Sequence, residues 1–172
     1  IRSLPNIVLD SGTEGQVNGT TNSWWRSVVN TAGSWAAGIG RTQLVNTINT
    51  LSKRNPTGKS DLLLSDQTSI EAYEGTTVPQ YQFTNNSPDL GMKGKLTFKE
   101  IPWMWSVQAT SGVIYVLNSD AIKFYVSKST DFLFTLFTRQ SNQDAEVGHI
   151  LLTCALATCY RSKLVKTTAN AA

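Results

Sequence analysis

The sequence predicts an α+β domain in which a mixed sheet is flanked by short helices. Residues 41–74 contain the patterns of a helix, a buried strand and a second helix in succession, which is typical of a small α/β layer. From residue 95 onward the apolar residues alternate with period two, which predicts a series of strands. The change of period therefore indicates helices and strands in one α+β fold.

The segment RTQLVNTINTLSKR at 41–54 predicts the first helix. Leu44, Ile48 and Leu51 recur at the spacing of one helical face, and the Asn-Pro-Thr-Gly sequence at 55–58 is a stop signal. This face is expected to pack on the sheet.

The next two elements are a short strand and a short helix. DLLLS at 61–65 is an apolar run bounded by turn residues, which suits a buried strand. Thr68 and Glu71 have the spacing of a capping box, and Gly75 is a typical helix end, so a helix is expected over 68–74.

The first strand after the change of period is KLTFKEIPWMWS at 95–106. Its alternation directs Leu96, Phe98 and either Trp103 or Trp105 inward. Pro102 interrupts the ladder, because proline has no N–H to donate.

Further strands are predicted to the end of the chain. GVIYVLN at 112–118 is apolar throughout, and 121–139 contains the pattern of two strands around a turn at 127–131. Residues 145–160 alternate as one very long strand, with a helix as the competing interpretation because leucine and alanine also favour helices. The last residues, 167–172, are expected to be frayed.

Composition describes an ordinary globular protein. Of the 172 residues 40% are hydrophobic and 16% are charged, and the net charge of +3 is too small and too scattered to indicate nucleic-acid binding by itself. No apolar run of about 18 residues exists, so no membrane span is expected. The chain begins at Ile1 without an initiator methionine, which suggests a processed or truncated product.

No catalytic, cofactor or metal site is predicted. A zinc site with Cys154 and Cys159 would need two further ligands, and His149 is the only histidine. If 145–160 is one strand, the two cysteines lie ~16 Å apart and cannot form a disulfide, so buried free thiols are expected. Asp144 and His149 would be similarly distant, which excludes a charge relay, and His149 is expected to be half-buried.

A series of motifs carries a resemblance to a known family. TNSWWR, DLLLSDQTSIEAYE, PQYQFT, KGKLTFKEIPWMW, IYVLNSDAIKFYV and NQDAEVGHILL follow one another over residues 20–165. In this order they resemble the C-terminal half of tailed-bacteriophage major capsid proteins, whose Hong Kong 97-type fold is shared with encapsulin shells.

The resemblance implies a capsid-type axial domain plus long return strands of a peripheral domain. Residues 1–125 are expected to be axial-domain-like, with a lead-in over 1–23, and residues 126–172 to be return strands with a frayed C-terminus. The N-terminal arm, extended loop and spine helix of the family are expected to be absent from this chain and to precede residue 1, and no helical pattern as long as a spine helix occurs in this sequence.

The implied function is that of a shell subunit, not an enzyme. Its partners would be copies of itself, as pentamers and hexamers in the full-length protein, and packaged double-stranded DNA bound non-specifically, with no small-molecule substrate. The subunit would be assembled in the bacterial host cytoplasm and reside in the virion capsid. An encapsulin-like compartment protein and a carbohydrate-binding β-rich module with exposed tryptophans are the alternatives.

Two groups of residues are candidates for subunit interfaces or for anchoring the fold. Trp24, Trp25 and Arg26 suit a core anchor, a subunit contact or a sugar-stacking platform.

The second group is Asn142, Gln143 and Asp144, which suits a turn that launches the long strand or an intersubunit hydrogen-bond cluster. Replacing Asp144 with alanine in the full-length protein is expected to reduce stability or assembly.

Overall fold

The structure is a computed structural model, and it describes residues 3–32, 39–54, 59–81 and 96–169. Three helices and fourteen strands lie in these ranges: α1 (Leu4–Ile7), β1 (Thr13–Glu14), β2 (Val17–Asn18), β3 (Val28–Ala32), α2 (Ile39–Arg54), β4 (Leu62–Ser65), α3 (Gln67–Tyr81), β5 (Thr97–Phe98), β6 (Ile101–Trp105), β7 (Val113–Leu117), β8 (Ile122–Val126), β9 (Leu133–Phe134), β10 (Thr138–Arg139), β11 (Glu146–Val147), β12 (Ile150–Leu151), β13 (Cys154–Thr158) and β14 (Val165–Ala169). Short 3-10 turns cover Ser23–Trp25, Ser119–Ala121 and Arg161–Lys163.

The centre of the fold is a six-stranded mixed sheet with the order β3-β14-β7-β4-β6-β5. The β3–β14 and β4–β6 pairs are parallel, and the other pairs are antiparallel. All five residues of β7 are buried, because this strand is covered on both faces. The predicted α+β class with a mixed sheet and flanking helices agrees with this architecture.

One face of the sheet packs against α2 and α3. Leu44 of α2 is fully buried here with Leu63 of β4 and Val116 of β7. At the β6 end, the rings of Tyr73 and Trp103 lie 5.1 Å apart between centroids, and Phe98 meets both edge-on. Burial of these large side chains is expected to supply much of the stability of the domain.

The opposite face is covered by the two ends of the described chain. Ile7 and Val8 pack with Tyr115 of β7 and with Leu164, all of them almost completely buried. The N-terminal residues are thus part of the core, although the sequence suggested an extended lead-in.

The segment 122–158 forms a long two-stranded ribbon that is separate from the six-stranded sheet. Strand β8 pairs antiparallel with β13, β9 with β12, and β10 with β11, and the chain reverses between Arg139 and Glu146. Only the base of the ribbon joins a core, where Ile122 and Leu156 pack against the second cluster.

The helix predictions are partly confirmed. Helix α2 and strand β4 occur where they were expected, and the predicted stop at 55–58 lies outside the described residues. Helix α3 begins at Gln67, capped by Asp66, so the capping box of Thr68 is wrong. It continues through Gly75, which therefore does not end it.

The strand predicted over 95–106 is a tight hairpin of β5 and β6. Lys99 and Glu100 have φ of 51° and 68° and form the turn. Phe98 and Trp103 point inward as expected, whereas Trp105 is exposed. Pro102 fits within β6, where it lies opposite Thr97.

Three predictions for the C-terminal part are wrong. The segment 127–131 does not reverse the chain: the Ser127 N–H donates to the Thr153 carbonyl and the Thr153 N–H to the Thr130 carbonyl, so these residues bulge within one strand of the ribbon. The single strand over 145–160 is divided into β11, β12 and β13. The end is not frayed up to residue 169, because β14 lies between β3 and β7.

The expected division of the chain into two parts can be compared with the positions of the strands. The boundary expected after residue 125 falls inside β8, and residues 165–169 return to the central sheet. Assignment of the axial and peripheral domains remains a prediction.

Candidate functional site

The first candidate group, Trp24, Trp25 and Arg26, lies where the lead-in meets the C-terminal 3-10 turn. Trp24 is 67% exposed and Trp25 is half-buried. Their rings are 5.8 Å apart between centroids and meet at 70°, edge to face. Two rings at this angle do not form a flat row on which a sugar could stack.

Arg26 binds backbone oxygens of its own loop. Its Nε donates to the Gly19 carbonyl at 2.6 Å, and its Nη2 donates to the Thr20 carbonyl at 2.5 Å. This arrangement holds the loop before β3, which suits an anchor of the fold. The alternative role in a subunit contact stays a prediction for all three residues.

The second candidate group, Asn142, Gln143 and Asp144, lies in the turn at the far end of the ribbon. All three side chains are exposed. Asp144 Oδ1 accepts a bond from Arg139 Nη2 at 2.5 Å, and these side chains are 91% and 72% exposed. The turn that was expected to precede the long strand is present, and its intersubunit role stays a prediction.

Replacing Asp144 with alanine is expected to leave the free energy of unfolding of this chain within about 0.5 kcal/mol of wild type, because exposed ion pairs contribute little. Any larger effect must therefore act on assembly of the full-length protein. Urea unfolding of the isolated variant, compared with its yield in assembled particles, separates the two. A large loss of stability in the isolated chain would contradict this expectation.

The ribbon exposes an unusual amount of apolar surface. Among the described residues, eighteen large hydrophobic side chains are exposed, and eleven of them lie in the ribbon, with exposed fractions from 39% to 87%: Phe124, Tyr125, Val126, Phe132, Leu133, Phe134, Leu136, Phe137, Ile150, Leu151 and Leu152. A surface of this kind on a soluble domain typically marks an interaction site.

One side of the ribbon carries an aromatic pair. The rings of Phe134 and Phe137 meet edge to face with centroids 5.2 Å apart, and Phe134 lies opposite Ile150. A Cβ at Gly148 would lie 3.1 Å from the Phe134 ring and 3.2 Å from the Phe137 ring, so glycine leaves the space that both rings occupy. Sequence alternation did not reveal this surface, because alternation does not show whether a strand is covered.

Arg161 is the largest fully buried side chain of the described residues, and sequence reasoning missed it. Its Nε donates to the Ile7 carbonyl at 2.8 Å, its Nη2 to Ser11 at 2.9 Å and its Nη1 to Gly12 at 3.3 Å. Burial lowers the pKa of Arg161 from its ordinary value, and the carboxylates of Glu14 and Asp10 oppose this change. The guanidinium thus ties the N-terminal segment to the end of the chain.

Asp66 connects the end of β4 with α3 and with the segment before β7, and sequence reasoning also missed it. Its carboxylate accepts bonds from the Thr68 hydroxyl, from the Ser69 hydroxyl at 2.5 Å and from the Gly112 N–H at 3.1 Å. Burial raises the pKa of Asp66, but these bonds and the Ser69 N–H outweigh it, so the pKa is lowered. Helix α3 is thereby fixed to the segment before β7.

The two cysteines and the histidine are less buried than expected. Both cysteines are free, but neither is buried as expected: Cys154 is half-buried and Cys159 is exposed. His149 is exposed rather than half-buried. In the ranges that the structure describes, no cluster of three His, Cys, Asp or Glu side chains could hold a metal ion. No helix within those ranges is long and apolar enough to cross a bilayer.

The central sheet, the two helices on one face and the ribbon together match a chain of known structure. The solved structure of the cyanophage A-1(L) capsid asymmetric unit contains a chain that matches over 95% of this protein, with a TM-score of 0.66 and 13% sequence identity. The fold is therefore phage capsid-like, and at this identity the likeness shows the shared fold alone.

This protein spans 56% of that cyanophage chain. No protein-family model matches the sequence, and no curated protein matches it.

Proposed function

We propose that this chain is part of a major capsid protein of a tailed bacteriophage or prophage and belongs to the icosahedral shell that encloses the DNA. The observation that carries the proposal is the fold shared with a chain of the cyanophage capsid asymmetric unit over 95% of the protein. The order of the sequence motifs over residues 20–165 supports the finer assignment to the C-terminal half of the Hong Kong 97-type fold.

In this proposal the function is geometric rather than catalytic. Many modest contacts between copies, repeated by symmetry, hold the shell together, so no single residue needs the chemistry of an active site. The partners are other copies of the subunit and packaged DNA, which it contacts without sequence preference. Assembly takes place in the bacterial cytoplasm, and the product is the virion capsid.

The surface of the described chain supports a role in assembly. The ribbon carries eleven of the eighteen exposed large apolar side chains among the described residues, whereas the two core clusters lie mainly in the sheet domain. Such a division suits a subunit whose sheet folds alone and whose ribbon is covered in a larger structure.

The test is expression of the complete open reading frame that encodes this chain, followed by cryo-electron microscopy of the sedimenting fraction. Closed icosahedral shells are expected, with subunit density that accommodates the six-stranded sheet and its two helices. If the full-length product remains a dispersed single chain at every concentration and ionic strength, the proposal fails.

A further inference from the structure

We infer that Asn18 is a site of spontaneous covalent modification, where deamidation converts the side-chain amide into aspartate or isoaspartate at a rate controlled by the loop that Arg26 anchors. Asn18 and Gly19 form the only Asn-Gly dipeptide in the sequence. The inference concerns the chemistry of this chain and does not depend on the proposed function.

The reaction joins two groups of this dipeptide. The Gly19 backbone nitrogen, once it has lost its proton, attacks the Asn18 side-chain carbon Cγ, the bond from Cγ to Nδ2 breaks, and ammonia leaves. Water then opens the cyclic succinimide at either carbonyl, which gives aspartate or, where the main chain continues through Cγ, isoaspartate. Water is the only co-reactant, and nothing is oxidised or reduced. Glycine favours the attack, because it has no side chain beside the nitrogen and the widest choice of backbone conformations.

The amide that reacts is exposed, whereas the nitrogen that attacks it is held. Asn18 is exposed at the end of β2, and its Oδ1 accepts the Thr20 N–H at 2.8 Å. Gly19 is buried, and its N–H donates to the Gly12 carbonyl at 2.9 Å. The first bond fixes the side chain and the second engages the proton that must leave. The reaction therefore requires the loop to open.

Two arginine side chains keep this loop closed. Arg26 Nε donates to the Gly19 carbonyl at 2.6 Å, and its Nη2 donates to the Thr20 carbonyl at 2.5 Å. Arg161 Nη1 donates at 3.3 Å to the same Gly12 carbonyl that accepts the Gly19 N–H. A Cβ at Gly19 would lie 3.3 Å from Arg161 Nη1, so the close packing favours the glycine that also makes the dipeptide reactive.

The loop can open while the core stays folded. Asn18 pairs with Thr13 in the two-stranded sheet of β1 and β2, which has no further strand. Residues 9–26 belong to neither core cluster. Segments of this kind open at a lower free energy than the whole domain, so we expect Asn18 to react through local opening.

The test measures how fast Asn18 is converted in loop and core variants. The 172-residue chain is incubated at mildly alkaline pH, and peptide mass spectrometry assigns the change to residue 18 and separates the two products. The folded wild type is expected to react at least about 10-fold more slowly than the same chain in urea. Arg26→Ala loses two bonds to the loop and should react roughly 5-fold faster than the folded wild type.

Asp66→Ala is the matched control, because it weakens the core and leaves the loop unchanged. The hydrogen bonds that Asp66 accepts come from Thr68, Ser69 and Gly112, all outside the loop. Asn18 should react at the wild-type rate in this variant, since local opening does not depend on the stability of the core. Circular dichroism should show that both variants are folded under the incubation conditions.

Four results would overturn the inference: no conversion of Asn18 even in urea, equal rates in the folded and the urea-unfolded wild type, no acceleration in Arg26→Ala, or a larger acceleration in Asp66→Ala than in Arg26→Ala. The second would show that the loop gives no protection, and the fourth that the reaction requires global unfolding. Shell formation by the complete open reading frame is a separate measurement, and neither of its outcomes changes these rates.

Discussion

Replacing Arg161 with alanine is expected to lower the free energy of unfolding by about 3–5 kcal/mol. The side chain is 1% exposed, and its three nitrogens donate to the carbonyls of Ile7, Ser11 and Gly12. The alanine variant loses these charge-assisted bonds and the packing of the alkyl chain, and each of the three carbonyls loses one donor. The Ile7 and Gly12 carbonyls keep a backbone donor, from Leu9 and Gly19. Urea unfolding monitored by tryptophan fluorescence measures the change.

Two variants control this prediction. Arg161→Lys keeps the charge but not the planar group with its several donors, so it should recover only part of the loss. Arg26→Ala also removes bonds to two carbonyls, but from a half-buried position, and is expected to cost about 1 kcal/mol. Amide exchange should accelerate selectively around α1 in the Arg161 variant. If Arg161→Ala and Arg26→Ala cost the same, the buried guanidinium does not have the role assigned to it.

The elements predicted correctly are those whose pattern and burial agree. Leu44, Ile48 and Leu51 repeat at helical spacing and all face the sheet, so α2 was predictable. Strand β7 was predictable from its continuous apolar run, since a strand covered on both faces needs no polar side.

The ribbon shows why other elements were not predictable. A sequence pattern gives the period of a strand but not its partner. Two strands joined by a turn at 127–131 and one bulged strand paired with distant residues therefore have the same sequence pattern. The turn at Asn142–Asp144 was predicted, but not that it reverses the ribbon, since 140–145 contains neither proline nor glycine. Strand β14 was missed because its partners, β3 and β7, are distant in sequence and TTANAA resembles a frayed end.

The functional and anchoring residues also divide into those that the sequence indicated and those that it did not. Trp24 belongs to a Trp-Trp-Arg segment and Asp144 to a polar turn, patterns that the sequence displays, and both residues lie on the surface. Arg161 and Asp66 have the larger expected effects. Arg161 donates to backbone carbonyls about 150 residues away in the sequence, and Asp66 accepts the distant Gly112 N–H besides its near neighbours, and neither long-range contact has a signature in the sequence. Burial of an ionised side chain depends on tertiary contacts that local patterns do not contain.

The second large effect is expected at Asp66, whose replacement with alanine should lower the free energy of unfolding by about 2–4 kcal/mol. The nearly buried carboxylate caps α3 and also accepts the Gly112 N–H, so alanine leaves several donors without an acceptor. Asp61→Ala is the matched control, because Asp61 is exposed and accepts bonds from Ser119 alone among the described contacts. Its effect should be clearly smaller, and equal losses in the two variants would contradict the assignment.

The pH dependence of Asp66 supplies an independent test. Its hydrogen bonds lower the pKa in the folded state, whereas an unfolded aspartate titrates near ~3.9. The stabilisation is therefore fully present above the unfolded value and is lost as the pH falls through the lower folded value. Asp66→Asn cannot ionise, so its stability deficit relative to wild type should be constant above about pH 5 and should narrow below about pH 4. Unfolding of both proteins by urea at a series of pH values measures this difference, because the titration of all other carboxylates cancels. A deficit that stays constant into strong acid would show that the charge of Asp66 does not stabilise the junction of α3 with the segment before β7.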